Sequence, residues 1–192
     1  MRALVSSEVE TARMRLHRMG PEHFEHLKVF WADPSIAEFT FVKPLDEEQA
    51  WLALAANIGH WSMRGYGMYC ATDKISGEFI GTMGLWNPPT WPEPEFSCAL
   101  RPKYWGGRYG VEGGRRFIDL VQRELNWSTL ACVIRKGNEK SMRGLSRLGA
   151  RYDRDVHLMQ ADWQIYRLFQ ASDAVLSYGH PVSGPMNRLY SA

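Results

Sequence analysis

The sequence predicts an α/β domain: a mixed, mostly antiparallel central sheet of six to seven strands flanked by about four helices. Three observations carry that reading. Short period-2 segments alternate with longer stripes of 3.6-residue period. Two strands flank a five-residue turn ending in Gly77, which reads as an antiparallel hairpin. A strand, a Gly-rich turn, a helix and a second strand then follow in the middle of the chain, and a helical crossover returns parallel.

The elements follow in order. The first nine residues read as a frayed lead-in. Residues 12–18 alternate Met14 and Leu16 with Arg13, Arg15 and His17, as a half-buried strand does. Gly20-Pro21 opens a helix whose apolar stripe is Phe24, Leu27 and Trp31, and Asp33-Pro34 stops it. A short aromatic segment, 36–44, leads to a second helix. Asp46 and Gln49 have capping-box spacing there, with Trp51, Leu54, Ala55 and Ile58 as the expected buried stripe and Gly65 as the stop.

Residues 67–72 and 78–86 form the hairpin, a Pro-rich loop spans 87–94, and residues 95–100 form the next strand. The Gly-rich turn opens a third helix, with Val111, Gly114, Phe117, Ile118, Val121 and Leu125 inward. Residues 128–134 are a β-branched strand. Residues 138–148 are a fourth helix with Met142, Leu145 and Leu148 inward, and 152–157 and 164–169 are closing strands. The single domain covers 10–169, and 170–192 is a C-terminal extension poor in periodicity, which leaves room for a homodimer.

Composition sets limits. The 192 residues are 45% hydrophobic and 23% charged, enough to bury a core without disulfide or metal staples. Lys plus Arg number 23 against 21 acids, so there is no strong electrostatic pull toward nucleic acid or an anionic membrane. No apolar run is long enough to span a bilayer, and the first residues lack a signal-peptide core. Cys70, Cys98 and Cys132 are odd in number and far apart, so they read as buried thiols in a cytoplasmic protein. His23 and His26 share a helix face, but nothing completes a metal site, and none is expected.

The chemistry concentrates at 95–125. A Gly-rich turn running into a helix leaves several N–H groups pointing one way, reinforced by the dipole, and so makes an anion site. The glycines at 106, 107, 110 and 113 do not have dinucleotide-fold spacing, and Arg135, not an acid, ends the next strand.

Three motifs carry a resemblance. Thr11-Ala12-Arg13-Met14-Arg15-Leu16-His17-Arg18 precedes Asp33-Pro34; Tyr104-Trp105-Gly106-Gly107-Arg108-Tyr109-Gly110-Val111-Glu112 forms the turn; Asn138-Glu139-Lys140-Ser141 precedes Leu148-Gly149-Ala150. Together they resemble the GCN5-related N-acetyltransferase (GNAT) family, and within it the ribosomal-protein alanine acetyltransferase branch. The resemblance implies the GNAT fold, acetyl-CoA as co-substrate, no metal, and transfer of acetyl to a primary amine by direct attack in a ternary complex. The partners it implies are acetyl-CoA and an amine acceptor, with no nucleic acid and no membrane.

It also implies roles. The pantetheine of acetyl-CoA lies between two splayed strands, 95–100 and 128–134, paired with backbone groups of Ala99, Leu100 and Arg101. Gly106, Gly107, Arg108, Tyr109, Gly110 and Val111 hold the pyrophosphate. Asn138 bonds the pantetheine, though it is equally a helix N-cap. Ser141 lies near the sulfur and reprotonates the thiolate, since that helix has no Tyr. Glu95 is the first candidate for the base that deprotonates the amine. Glu112 reads as structural. Trp31, Phe39 and Trp86 are expected to line the acceptor pocket, with Phe41, Trp61, Tyr66 and Trp91 available to join them.

The sequence departs from the family at one point. Arg108 stands where the turn normally has Gly, and the extra glycine is one position earlier. Either the Cβ hinders the pyrophosphate, or the turn shifts by one residue and Arg108 offers a charged fork. A non-catalytic acyl-CoA-binding homologue is the alternative reading.

Overall fold

The computed structural model describes residues 4–170. The predicted extension, 171–192, lies outside them. One eight-stranded sheet, ordered β1-β2-β3-β4-β5-β6-β8-β7, organises the chain. The strands are β1 (Glu8–Glu10), β2 (Met14–Arg18), β3 (Met68–Asp73), β4 (Phe79–Trp86), β5 (Glu95–Leu100), β6 (Thr129–Arg135), β7 (Arg151–Leu158) and β8 (Ala161–Gln170). The helices are α1 (Phe24–Ala32), α2 (Pro34–Ala37), α3 (Glu47–Arg64), α4 (Tyr109–Arg123) and α5 (Glu139–Arg147). Every registered pairing is antiparallel except β5 with β6.

The expected elements recur with shifted ends, but the sheet has eight strands where six to seven were expected and there are five helices where about four were, because β1 and the four-residue α2 are too short to show a period; three further expectations are corrected. The lead-in is not frayed: Glu8–Glu10 pairs with β2, and Val5 and Val9 are buried in the core. Three residues are too few to show a period. The helix over 47–64 starts and stops as predicted. Asp46 accepts from Gln49 N–H at 2.8 Å, and Gly65 takes a left-handed φ of 76°. Its buried face, however, is Ala50, Leu54, Asn57, His60 and Trp61, and Trp51 stays 57% exposed. The two stripes share Leu54 and each carries a tryptophan, so side-chain size does not decide between them. In α5 only Leu145 is buried, while Met142 is exposed.

The core has a cluster on each face of the sheet and a third beneath β6 and β8. Tyr69, Met83, Phe96, Phe117, Leu120, Leu130 and Leu145 belong to the face covered by α4 and α5. Met19, Leu27, Phe30, Trp31, Ala50 and Leu54 belong to the face covered by α1–α3. α4 lies close to the sheet because it presents glycine there. A Cβ on Gly113 would sit 2.3 Å from Met83 Sδ. Glu112 accepts from both the backbone N–H (2.8 Å) and the Nε–H (2.7 Å) of Arg13, so it ties α4 to the start of β2 and is structural, as expected.

Candidate active site

The site begins where β5 and β6 part. They share one registered pair, Glu95 with Ala131, whereas β4 and β5 share six. Beyond that pair the strands diverge, and β5 keeps an open edge. Alternate residues of a strand turn their backbone groups to opposite edges. Arg101 N–H donates to Ile80 O at 2.8 Å, so Arg101, Ala99 and Ser97 face β4. Phe96 O accepts from the Cys132 thiol at 3.0 Å, so Phe96, Cys98 and Leu100 face the gap. This corrects part of the expected pairing. Ala99 and Arg101 spend their backbone groups in the β4 ladder, while Leu100 and the unpredicted Cys98 hold the open edge. Strand parity, known only once Glu95 is placed against Ala131, decides this. The Leu100 carbonyl on that edge already accepts from the Trp105 indole at 2.6 Å, and Lys140 Nζ lies 3.6 Å from a Trp105 ring centroid.

The turn that follows is an anion cradle. Among the described residues, no acceptor meets hydrogen-bond geometry for the backbone N–H groups of 106–111. They cluster at the N-terminus of the 15-residue helix α4, where the dipole adds partial positive charge. The turn has not shifted. Gly106 has φ 76°, and Arg108, at the start of α4, has φ 63° and ψ 15°. Arg108 therefore occupies the left-handed position that glycine would fill without strain. Gly107 does not take it over, having no positive φ.

Opposite the turn, α5 is capped by Asn138, whose Oδ1 accepts from Ser141 N–H at 3.1 Å. That carbonyl is committed to the cap. The amide nitrogen has no partner among the described residues, and Asn138 lines the cavity. The cap therefore leaves the amide nitrogen of Asn138 available to the cavity. Ser141 lines the same wall.

Glu95 is not an exposed strand-end acid. It is 3% exposed, and its carboxylate accepts from Val133 N–H at 2.8 Å, a donor that a continued parallel ladder would have used. Burial pushes its pKa up to about 8, against the lowering effect of that bond. The Trp91 indole N–H has no partner that meets hydrogen-bond geometry, yet lies near enough to lower the Glu95 pKa as well. Trp91 belongs to the Pro-rich loop, which Glu93 pins to β8 through Arg167.

A cavity of about 600 Å³ joins these parts. It runs from Gly106, Arg108 and Gly110 past Cys98, Leu100 and Ser141 to Glu95 and an aromatic end. Trp31, Phe39 and Trp86, the expected acceptor residues, all line it, with Phe41 and Trp91. Trp61 and Tyr66 instead belong to the core. Trp163 and Met159, from the β7–β8 hairpin, line it without having been foreseen. Trp86 is held by His60, which stacks on it at 4.7 Å. His60 Nδ1 bonds Tyr66 O at 2.9 Å while Nε2 accepts from Asn87 N–H at 3.1 Å, a pattern only the neutral ring can make. Burial accordingly lowers its pKa. Cys98 and Cys132 also line the cavity, and burial raises both thiols, so neither is a ready thiolate. Among the described residues no group of His, Cys, Asp or Glu could hold a metal, and no helix is long and apolar enough to cross a membrane.

A sequence model of the acetyltransferase (GNAT) domain matches residues 13–151, which include the splayed strands and the turn. The chain belongs to the GNAT acetyltransferase family. It is 30% identical over 131 residues to the FsC-acetyl coenzyme A-N(2)-transacetylase of Aspergillus fumigatus, covering 61% of this chain and 53% of that one. It is 26% identical over 114 residues to the uncharacterized protein YkkB of Bacillus subtilis, covering 56% and 66%. The matches thus span about half to two thirds of the length of these relatives. The GNAT fold is shared with an acetyltransferase from Agrobacterium tumefaciens, at TM-score 0.73 and 24% identity over 85% of this chain and 94% of that one.

Proposed function

We propose that this chain is an acetyl-CoA-dependent N-acetyltransferase acting on a primary amine, of the ribosomal-protein N-acetyltransferase type, in the cytoplasm. One observation carries the reading: an open strand edge and a cradle of unpaired N–H groups lie along a single cavity that ends at a buried carboxylate among aromatic rings. Such an edge suits the amides of a pantetheine arm, and the cradle suits a pyrophosphate.

Acetyl-CoA supplies the thioester. Glu95, when ionised, takes the proton from the amine nitrogen. The free amine attacks the carbonyl carbon, the C–S bond breaks, and the proton shed by the new amide nitrogen passes to the leaving thiolate through Ser141 or water. An N–H of Cys98 or Leu100 on the open edge stabilises the charge that develops on the carbonyl oxygen; one such donor is typically worth ~10²–10³ in rate. The raised thiols of Cys98 and Cys132 favour this direct transfer over an acetyl-enzyme. The test is thiol release from acetyl-CoA across a panel of primary amines and peptide N-termini. Amine-dependent release supports the reading. Cofactor binding with no release on any amine favours the non-catalytic homologue.

A further inference from the structure

Beyond the turn, on the side away from the aromatic end, lies a second cleft. Residues 11–13, the first two turns of α4 and the end of α5 form it. Five arginines line it, Arg13, Arg108, Arg115, Arg116 and Arg147, against one carboxylate, Glu112. That carboxylate is already paired with Arg13. Arg116 faces Asp119 and Glu124. Among the described residues the side chains of Arg108 and Arg115 have no hydrogen-bonding or ion-pair partner, and Arg147 bonds only the carbonyl of Arg143. Three cations thus converge on one cleft with no anion among them. Arg108 lines this cleft and the main cavity as well, so it stands at their junction, and it does so in a backbone conformation that costs an arginine strain.

Uncompensated like charges around a concave surface fit an anion, and guanidinium forks fit a phosphate. A phosphomonoester carries nearly two negative charges at neutral pH. Acetyl-CoA, the co-substrate proposed above, whose diphosphate the adjoining turn would hold, carries such a group at its nucleotide end, on the ribose 3′-oxygen. We infer that Arg108, Arg115 and Arg147 form a phosphomonoester subsite that reads the 3′-phosphate of coenzyme A. The inference rests on the proposed use of acetyl-CoA and deepens it. The chain selects acetyl-CoA over the same thioester lacking only that phosphate.

Calorimetric titration of the full chain with CoA and with 3′-dephospho-CoA tests this. The expected result is at least about tenfold weaker binding of the dephospho form, with a shallower dependence on salt. Arg115→Gln and Arg147→Gln should weaken CoA toward the dephospho value, leave dephospho-CoA unchanged, and keep the melting temperature. Equal affinity for the two ligands, or variants that weaken both alike, would overturn the inference while leaving the cofactor reading intact. Binding of neither ligand would sink both.

Discussion

The carboxylate of Glu95 accepts the backbone N–H of Val133 at 2.8 Å, across the point where β5 and β6 separate. A side chain thus takes the donor that would otherwise extend the parallel ladder. The same atom group ends the sheet pairing and faces the cavity, so the splay and the candidate base are one feature.

The first prediction concerns pH. With a pKa of about 8, Glu95 is protonated at neutral pH and becomes a base only as pH rises. kcat/KM for acetyl transfer should rise through about pH 8. Glu95→Gln keeps an acceptor for Val133 but loses the base, so the rate should fall about 10²-fold, the low end of what a general base contributes. Its remaining profile should follow only the ionisation of the amine. An unchanged rate and profile would remove Glu95 from the chemistry.

Stability should show the same group with a fixed sign. The folded pKa of Glu95 lies above its ordinary value of 4.5. Its contribution is therefore complete below about pH 4.5 and is lost as pH rises through about 8. His60 works the other way. Its pKa is lowered from 6.5, so its contribution is present above that value and declines as pH falls below it. Melting temperature against pH should carry a Glu95 limb that declines between about pH 4.5 and about 8 and is flat above it, and Glu95→Gln should flatten that limb. A limb unchanged in the variant would show that another group titrates there.

Arg108 tests the turn. Its left-handed backbone costs a side-chain-bearing residue ~1–2 kcal/mol, and glycine relieves this while adding freedom to the unfolded chain. Arg108→Gly should therefore change stability by less than about 1 kcal/mol in urea denaturation. Arg108→Val should lose roughly 1–2 kcal/mol, because branching at Cβ suits that conformation poorly. Equal effects would mean that the turn relaxes out of the left-handed region.

Gly113 tests the seat of α4. Alanine ordinarily stabilises a helix interior by roughly 0.5–1 kcal/mol relative to glycine. Here its Cβ would meet Met83 Sδ at 2.3 Å, and Met83 is fully buried. Gly113→Ala should cost about 1–3 kcal/mol by overpacking. A stabilised variant would place α4 farther from β4.

Much of the fold is legible in local pattern. The Asp46 cap, the turn ending at Gly77 and the strand–turn–helix unit lie where their chemistry places them, because each is decided within a few residues. Glu8–Glu10 is too short to show a period. The buried face of α3 carries Trp61 and the exposed face Trp51, and a tryptophan looks the same to the pattern whether it is buried or exposed. At the site, Gly106, Asn138, Trp31, Phe39 and Trp86 were legible as residue types near a turn, a cap or a cavity wall. Which backbone groups of 98–101 face the gap was not, since that depends on register against two other strands. The burial of Glu95, the neutral state of His60 and the hairpin residues Met159 and Trp163 are likewise products of tertiary packing.

Residue-resolved amide hydrogen exchange with and without acetyl-CoA reads the open strand edge and the turn in one experiment. Acetyl-CoA should slow exchange at 106–111 and at Cys98 and Leu100, the donors left unpaired along the cavity, and leave Ala99 and Arg101 unchanged. No slowing at the turn or the open β5 edge in a large excess of acetyl-CoA would contradict the proposed seating of the co-substrate.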